Sequence, residues 1–195
     1  KPLYLLAQIN FEEVPALDNF PQKGILQFYI ADDDLYGMDF DKPSEQNGFR
    51  VLYFADIDKE NFQRDLPLID AQLTPLGKNL ETHQLTFEVA EEYVGLNDAN
   101  LEASLGDRLD EFNEIIEANE YKIADWFSDE VRNAGHKIGG YADFVQEDPR
   151  KYDEEKLKQY NTLLFQMDSQ GGICWGDMGV GNFFIDIEKL KKLDF

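Results

Sequence analysis

LLFQMD at 163–168 and GVGNFFI at 179–185, the two ends of the stretch LLFQMDSQGGICWGDMGVGNFFI, lie without gaps over LLAQIN at 5–10 and GILQFYI at 24–30. Six of the thirteen aligned positions are identical, namely Leu5/Leu163, Leu6/Leu164, Gln8/Gln166, Gly24/Gly179, Phe28/Phe183 and Ile30/Ile185. At ordinary residue frequencies unrelated blocks would share about one. Most other positions exchange like for like: Ile9 for Met167, Asn10 for Asp168, Ile25 for Val180, Gln27 for Asn182 and Tyr29 for Phe184.

Each copy has the same physical make-up. A short apolar run ends in Gln-apolar-Asn/Asp, and a second run starts at Gly and is rich in aromatic and β-branched residues, which is strand composition. The insert between the runs is 11–23 in the first copy and 169–178 in the second, short enough for the two strands to pair as neighbours. The expectation is an α+β chain that is β-rich and internally duplicated. Its two related β-sheet halves, residues 1–97 and 133–195, are joined by a helical segment at 98–132.

Working outward, the chain has 195 residues with 43% hydrophobic and 13% aromatic content, which suits a folded protein rather than a disordered one. Forty acidic residues against eighteen basic ones give a formal charge of -22. Such a surface repels phosphate, so nucleic acid and anionic membranes are poor partners, whereas a basic protein is a good one. No secretory signal or membrane-spanning apolar run is present, and the single Cys174 cannot form an internal disulfide. These features point to the cytoplasm.

Between the copies the pattern changes several times. Asn10 is placed to cap one helical turn that Pro15 stops. Residues 31–44, ADDDLYGMDFDKPS, read as an acidic loop, and 49–57 as a third strand. The segment 58–78, holding Pro67, Pro75 and Gly77, reads as irregular. Residues 83–89 alternate with period two, as a half-wet strand would. Leu101, Leu105, Leu109, Phe112 and Ile116 then step by four, four, three and four, as an amphipathic helix requires. Trp126 and Phe127 begin a second apolar patch, and the expectation is that 129–132 continue helical. After the glycine turn in HKIGGYADFVQ (136–146) a short strand is expected at 144–146, then helices at 154–160 and 186–193.

PLYLLAQINF with FPQKGILQFYI, then HKIGGYADFVQ, LLFQMDSQ and WGDMGVGNFFID, resemble in this order the YwqG-like family of bacterial proteins, a family of unknown function. The resemblance covers essentially the whole chain and implies an α+β fold with two related β-rich halves. It implies no settled activity and carries no catalytic residue over. Such proteins usually have a Gly-Gly-X-Pro stretch ahead of the first block. Its absence here, with no Met at position 1, implies that an N-terminal part of the first repeat is missing. Ala142 stands where relatives have Pro.

No reaction centre stands out among the residues. Asp32-Asp33-Asp34-Leu35-Tyr36-Gly37 fits a calcium loop at its first, third and sixth positions only, because Tyr36 and Pro43 occupy ligand places. His83, His136 and Cys174 are too few for a structural zinc site. A Cys174, His136, Asp177 nucleophile set lacks anything local to activate the thiol, so an inert cysteine is the better reading. The glycines of 171–181 lack the strand, Lys and helix of a phosphate-binding loop. No catalytic residue, metal or cofactor is assigned.

Binding residues can still be named. Gln8 and Gln166 sit inside apolar runs, where an amide must find partners; a structural amide is favoured over a ligand contact. Asn10 and Asp168 follow at corresponding positions, and Trp175 and Asp177 lie in the second insert. The preferred function is a non-catalytic acidic binding module for a basic partner protein, of which immunity against a basic toxin domain is one instance. The alternative is an enzyme or small-ligand receptor with a pocket between the two repeats, lined by Gln8, Gln166, Trp175 and Asp177. No feature sets an oligomeric state.

Overall fold

The computed structural model describes residues 2–58, 60, 72–77, 82–119 and 122–195. Its architecture is α+β, with two antiparallel sheets and several short helices among the described residues. The chain divides into two compact units. Unit 1 is made of Lys1–Val89, Gln170–Asp177 and Glu188–Phe195, and unit 2 of Ala90–Ser169 and Met178–Ile187. The helical stretch expected as a connector therefore falls inside unit 2, and most of the insert of the second copy falls inside unit 1.

Unit 1 is built on β1 (Leu3–Asn10), β2 (Ile25–Ala31) and β3 (Phe49–Phe54), in the order β1-β2-β3. β2 is the middle strand, and its period-two pattern does what such a pattern should: Leu26, Phe28 and Ile30 are buried while Ile25, Gln27 and Tyr29 are half-exposed. Leu6, Ala7, Ile9 and Val51 complete this face, with Phe11, Trp175 and Leu190 from the flanking segments. The β1–β2 pairing skips a residue between Leu5 and Ala7, so two residues of β1 face one step of β2. That bulge turns Leu6 and Ala7 both inward.

Unit 2 contains β4 (Thr162–Asp168) and β5 (Val180–Ile185), paired antiparallel. Their register repeats that of β1 and β2 residue for residue. Leu163 faces Phe184 as Leu5 faces Tyr29, Phe165 faces Phe183 as Ala7 faces Phe28, and Gln166 faces Asn182 as Gln8 faces Gln27. The skipped residue falls at the same place, between Leu163 and Phe165. Even the closing bond has a counterpart, because Phe11 N–H donates to the carbonyl of Gly24 at 2.9 Å and the Ser169 hydroxyl to that of Gly179 at 2.7 Å. Leu163, Leu164, Phe165, Met167, Ile185 and Ala142 form the apolar core.

Elsewhere the structure corrects the sequence reading. Residues 83–89 alternate as predicted but form no strand, and nearly all are exposed. Period two is necessary for a ladder, yet without a neighbouring edge it does not create one. Residues 144–146 are also irregular, because side-chain amides rather than a strand hold the adjoining backbone. Gln166 Oε1 accepts Asp143 N–H at 2.8 Å, and Asn182 Nδ2 donates to the Asp143 carbonyl at 3.0 Å.

The helix expected over 101–116 is broken at Gly106, whose φ of 52° lies outside the helical region. The result is α1 (Leu101–Leu105), a 3₁₀ turn at Gly106–Arg108, and α2 (Leu109–Ala118). α3 (Lys122–Glu130) packs on α2 through Phe112 and Phe127, whose ring centroids are 6.2 Å apart. α4 (Glu154–Leu157) and α5 (Ile187–Leu190) are shorter than expected. The capped turn after Asn10 forms, with Glu13 N–H on the Asn10 carbonyl at 3.0 Å. Most of the segment read as irregular at 58–78 lies outside the described residues.

Candidate functional site

The two glutamines that correspond in sequence have different surroundings. Gln166 is fully buried, and every polar atom of its amide is engaged by backbone: Oε1 accepts Asp143 N–H, and Nε2 donates to the carbonyls of Asn133 at 2.8 Å and Gly135 at 2.9 Å. It ties β4 to the 133–143 segment, beside the backbone bridge that Gln166 makes with Lys137. Gln8 is exposed, and its Oε1 accepts from Gln27 Nε2 at 2.6 Å, while Tyr29 donates to Gln27 Oε1 at 2.8 Å.

Asn10 and Asp168 both act on backbone. Asn10 Oδ1 accepts Glu12 N–H at 3.1 Å, and its amide donates to Glu13 Oε1 at 2.8 Å. Asp168 accepts Gly135 N–H at 2.8 Å on one oxygen and Ser169 N–H at 2.7 Å on the other. Its own N–H donates to His136 Nδ1 at 3.1 Å. Burial lowers the His136 pKa, opposed by the nearby Asp168 charge. Lowering fits the geometry, since an Nδ1 that accepts a hydrogen bond cannot hold a proton.

Trp175 is buried in unit 1, while Asp177 beside it is exposed. The indole meets the Tyr36 ring edge-on, with centroids 5.0 Å apart and planes at 79°. Gly176 N–H donates to the Tyr36 hydroxyl at 2.7 Å, and Cys174 N–H to the Pro75 carbonyl at 2.8 Å. Trp175 therefore does not present its face to a partner. It anchors, from within unit 1, the acidic loop that carries Tyr36.

That loop is held by a dense set of aspartate hydrogen bonds. Asp32 accepts the N–H groups of Gln72 at 3.1 Å and Leu73 at 2.6 Å. Asp33 accepts those of Leu35 at 3.2 Å and Gly37 at 2.8 Å, and Asp39 those of Asp41 at 2.9 Å and Lys42 at 3.2 Å. The bonds of Asp33 and Asp39 are side-chain turn bonds, the use for which aspartate is suited in loops, while those of Asp32 tie the loop to residues 72–73. Gly37 has a φ of 85° and lies so close to Gly48 that a Cβ on either residue would overlap the other's carbonyl.

On this fixed frame the apolar side chains point out. Leu35 is 44% exposed, Met38 53% and Phe40 72%, interleaved with exposed Asp34, Asp39 and Asp41. The sequence reading found the loop and its acidity but not this display. The signal was there in DDDLYGMDFD, where each apolar residue is bracketed by acids and cannot join a continuous core stripe.

A second structure invisible in the sequence is the buried ion cluster of unit 2. Arg150 Nη2 lies 2.7 Å from Asp148 and 3.1 Å from Asp98, and Nε lies 3.0 Å from both Asp148 oxygens. Its guanidinium carbon is 4.3 Å from the centroid of Phe184 and 5.7 Å from that of Phe144. Asp148 also accepts Ala99 N–H at 2.7 Å, and Asp98 accepts Asn100 N–H at 2.7 Å. All three charged groups are committed to each other and to local backbone, which makes the cluster a fastener between residues 98–100 and 148–150.

Among the described residues no group of three or more His, Cys, Asp or Glu side chains is placed to hold a metal ion. No helix among them is long and apolar enough to cross a membrane. Cys174 is exposed, and its thiol lies 3.2 Å from the Gly176 carbonyl.

Comparison with known families gives one assignment. The chain belongs to the family described as Domain of unknown function (DUF1963), whose profile matches residues 1–195. No curated protein matches the chain.

Proposed function

Starting from membership of that family, we propose that this chain is a non-catalytic binding module whose acidic face recognises a basic partner protein. The observation that carries the reading is the 32–41 loop: Leu35, Met38 and Phe40 are exposed on a backbone already fixed by aspartate hydrogen bonds and by the Gly37–Gly48 contact. A loop ordered before binding loses little entropy on binding. Apolar contacts supply affinity, and the surrounding carboxylates supply steering toward a cationic surface. The charge of -22 extends that attraction over the whole molecule. Immunity against a basic toxin domain is one instance of this chemistry, and a cytoplasmic setting is part of the proposal.

The test is a pull-down at low and high salt that compares the wild type with two variants. One is Leu35→Ser/Met38→Ser/Phe40→Ser and the other Asp34→Asn/Asp41→Asn. A basic protein retained by the wild type, released by salt and lost with the apolar variant supports the reading. Retention that ignores both salt and the loop would sink it.

Two finer readings belong with this one. The shared register and shared bulge of the two hairpins support descent of both from one duplicated motif. The four sequence motifs in order support likeness to the YwqG-like proteins in particular.

A further inference from the structure

The two hairpins share a register but not a degree of burial. Successive residues of a strand point to opposite faces of the sheet. β4 is buried without a break from Leu163 to Met167, so both of its faces are covered. β1 is buried at Leu6, Ala7 and Ile9, whereas Gln8 is exposed. The cover on the second face of β4 is the 133–144 segment. Gln166 takes the carbonyls of Asn133 and Gly135 and the N–H of Asp143, and Asn182 Nδ2 donates to the Asp143 carbonyl. Phe144 then stacks on Phe184, with ring centroids 6.1 Å apart and planes at 2°.

Register makes Gln8, Gln27 and Tyr29 the counterparts of Gln166, Asn182 and Phe184. They carry the same chemistry, two amides beside an aromatic ring, and are exposed or half-exposed. Here the amides bond each other: Gln27 Nε2 donates to Gln8 Oε1, and the Tyr29 hydroxyl on Gln27 Oε1 fixes the orientation of that amide. Among the described residues none accepts from Gln8 Nε2. The face around them is not that of a wet sheet. Residues paired across strands share a face, so Leu52 continues the row of Gln8 and Gln27, and Phe54 that of Asn10 and Ile25. A solvated face is expected to be polar. Instead Leu52 is 36% and Phe54 47% exposed, and Leu5 and Ile25 are half-exposed. Apolar residues gathered in the open around polar anchors mark a contact surface.

We propose that the outer face of unit 1 at Gln8, Gln27 and Tyr29 is a receptor for a paired-glycine loop of the 133–144 kind, supplied from outside residues 1–195. The Gln8 amide leaves Gln27 and takes two carbonyls and one N–H of the loop, as Gln166 does. Gln27 Nε2 takes a further carbonyl, as Asn182 does, and Tyr29 receives an aromatic side chain, as Phe184 does. The bond between Gln8 and Gln27 is the resting arrangement of the empty receptor. A second copy of this chain is the poorer occupant, because its own 133–144 segment is already held by its own Gln166. Two chains of charge -22 also repel, whereas the loop carries one Lys and one Asp and brings no net charge. This receptor shares no residue with the 32–41 loop and does not depend on acidity, so the two proposals stand or fall separately.

The test follows backbone and glutamine side-chain amide shifts of the full chain, titrated to low millimolar concentration with acetyl-Asn-Ala-Gly-His-Lys-Ile-Gly-Gly-Tyr-Ala-Asp-Phe-amide. The expected result is saturable shifts of the Gln8 and Gln27 side-chain amides, with those of Gln166 unmoved. Gly139 and Gly140 have φ of 68° and 72°, so the peptide with Ala at both places should bind about tenfold more weakly. Gln8→Leu, which removes an exposed side chain and leaves the fold intact, should weaken the parent peptide by a similar factor, while Leu35→Ser/Met38→Ser/Phe40→Ser should leave it unchanged. Absence of shifts at Gln8 and Gln27, equal binding of the two peptides, shifts at Gln166 in place of Gln8, or concentration-dependent shifts of Gln8 without peptide would each overturn the proposal.

Discussion

Replacing Gln166 by Leu removes an amide whose three partners are backbone groups: the N–H of Asp143 and the carbonyls of Asn133 and Gly135. Leu is close in size, so the perturbation is chemical rather than steric. A buried backbone group left without a partner costs about 1–3 kcal/mol. The contact to Asn133 is fully buried, while the other two are partly buried and regain some water. The sum is about 3 kcal/mol, placed on unit 2. At its sequence counterpart the cost is small, since Gln8 is exposed and loses one surface bond to Gln27. Gln8→Leu should change stability by less than about 0.5 kcal/mol. Native-state amide exchange separates the two units. For Gln166→Leu, the β4 amides should exchange about 100-fold faster while β2 is unchanged, since 1.4 kcal/mol is a factor of about ten. Should β4 respond to Gln166→Leu no more than β2 responds to Gln8→Leu, the assignment of Gln166 as the amide that fastens unit 2 fails.

Three further outcomes are expected. Gly48→Ala places a methyl group against the backbone of Gly37, 2.7 Å from its Cα, and should cost about 1–3 kcal/mol in unit 1 and weaken retention of the basic partner; an unchanged denaturation midpoint would contradict this. Arg150→Met leaves Asp98 and Asp148 buried side by side without their cation and should cost about 3–5 kcal/mol, and adding Asp98→Asn should recover part of it; both are read from urea midpoints. For His136 the folded pKa is below the ordinary 6.5, so the unfolded chain takes up the proton first. Its contribution to unit 2 is intact above that value and falls as pH drops through the lowered folded pKa. Stability measured across this window should slope more steeply for the wild type than for His136→Gln.

The two hairpins were legible because they rest on local pattern: apolar alternation, a glycine at the second strand's start, and a repeat that doubles the signal. What failed was long-range. Residues 83–89 carry the right period and find no ladder, and Gly106 interrupts a helical stripe that periodicity alone would continue. The site residues divided in the same way. Gln166 stands out in the sequence as an amide inside an apolar run and Asp168 as the acid that ends it, but their partners in the 133–143 segment lie well upstream and nothing in the local sequence names them. Trp175, named from its place in the second insert as a binding residue, is buried against Tyr36. Arg150 and its aspartates went unnoticed because a charged residue in a polar loop gives no sign that folding will enclose it.

The path of the chain through its two units has a mechanical consequence. Pro2 and Phe195 both belong to unit 1, and the chain leaves that unit after Val89 and after Asp177, returning each time. Tension applied at these two residues enters the chain through segments of unit 1 at both ends. For the same reason no single cut yields both units as uninterrupted polypeptides: a chain stopped at Val89 would lack Trp175 and Leu190 from its own interior.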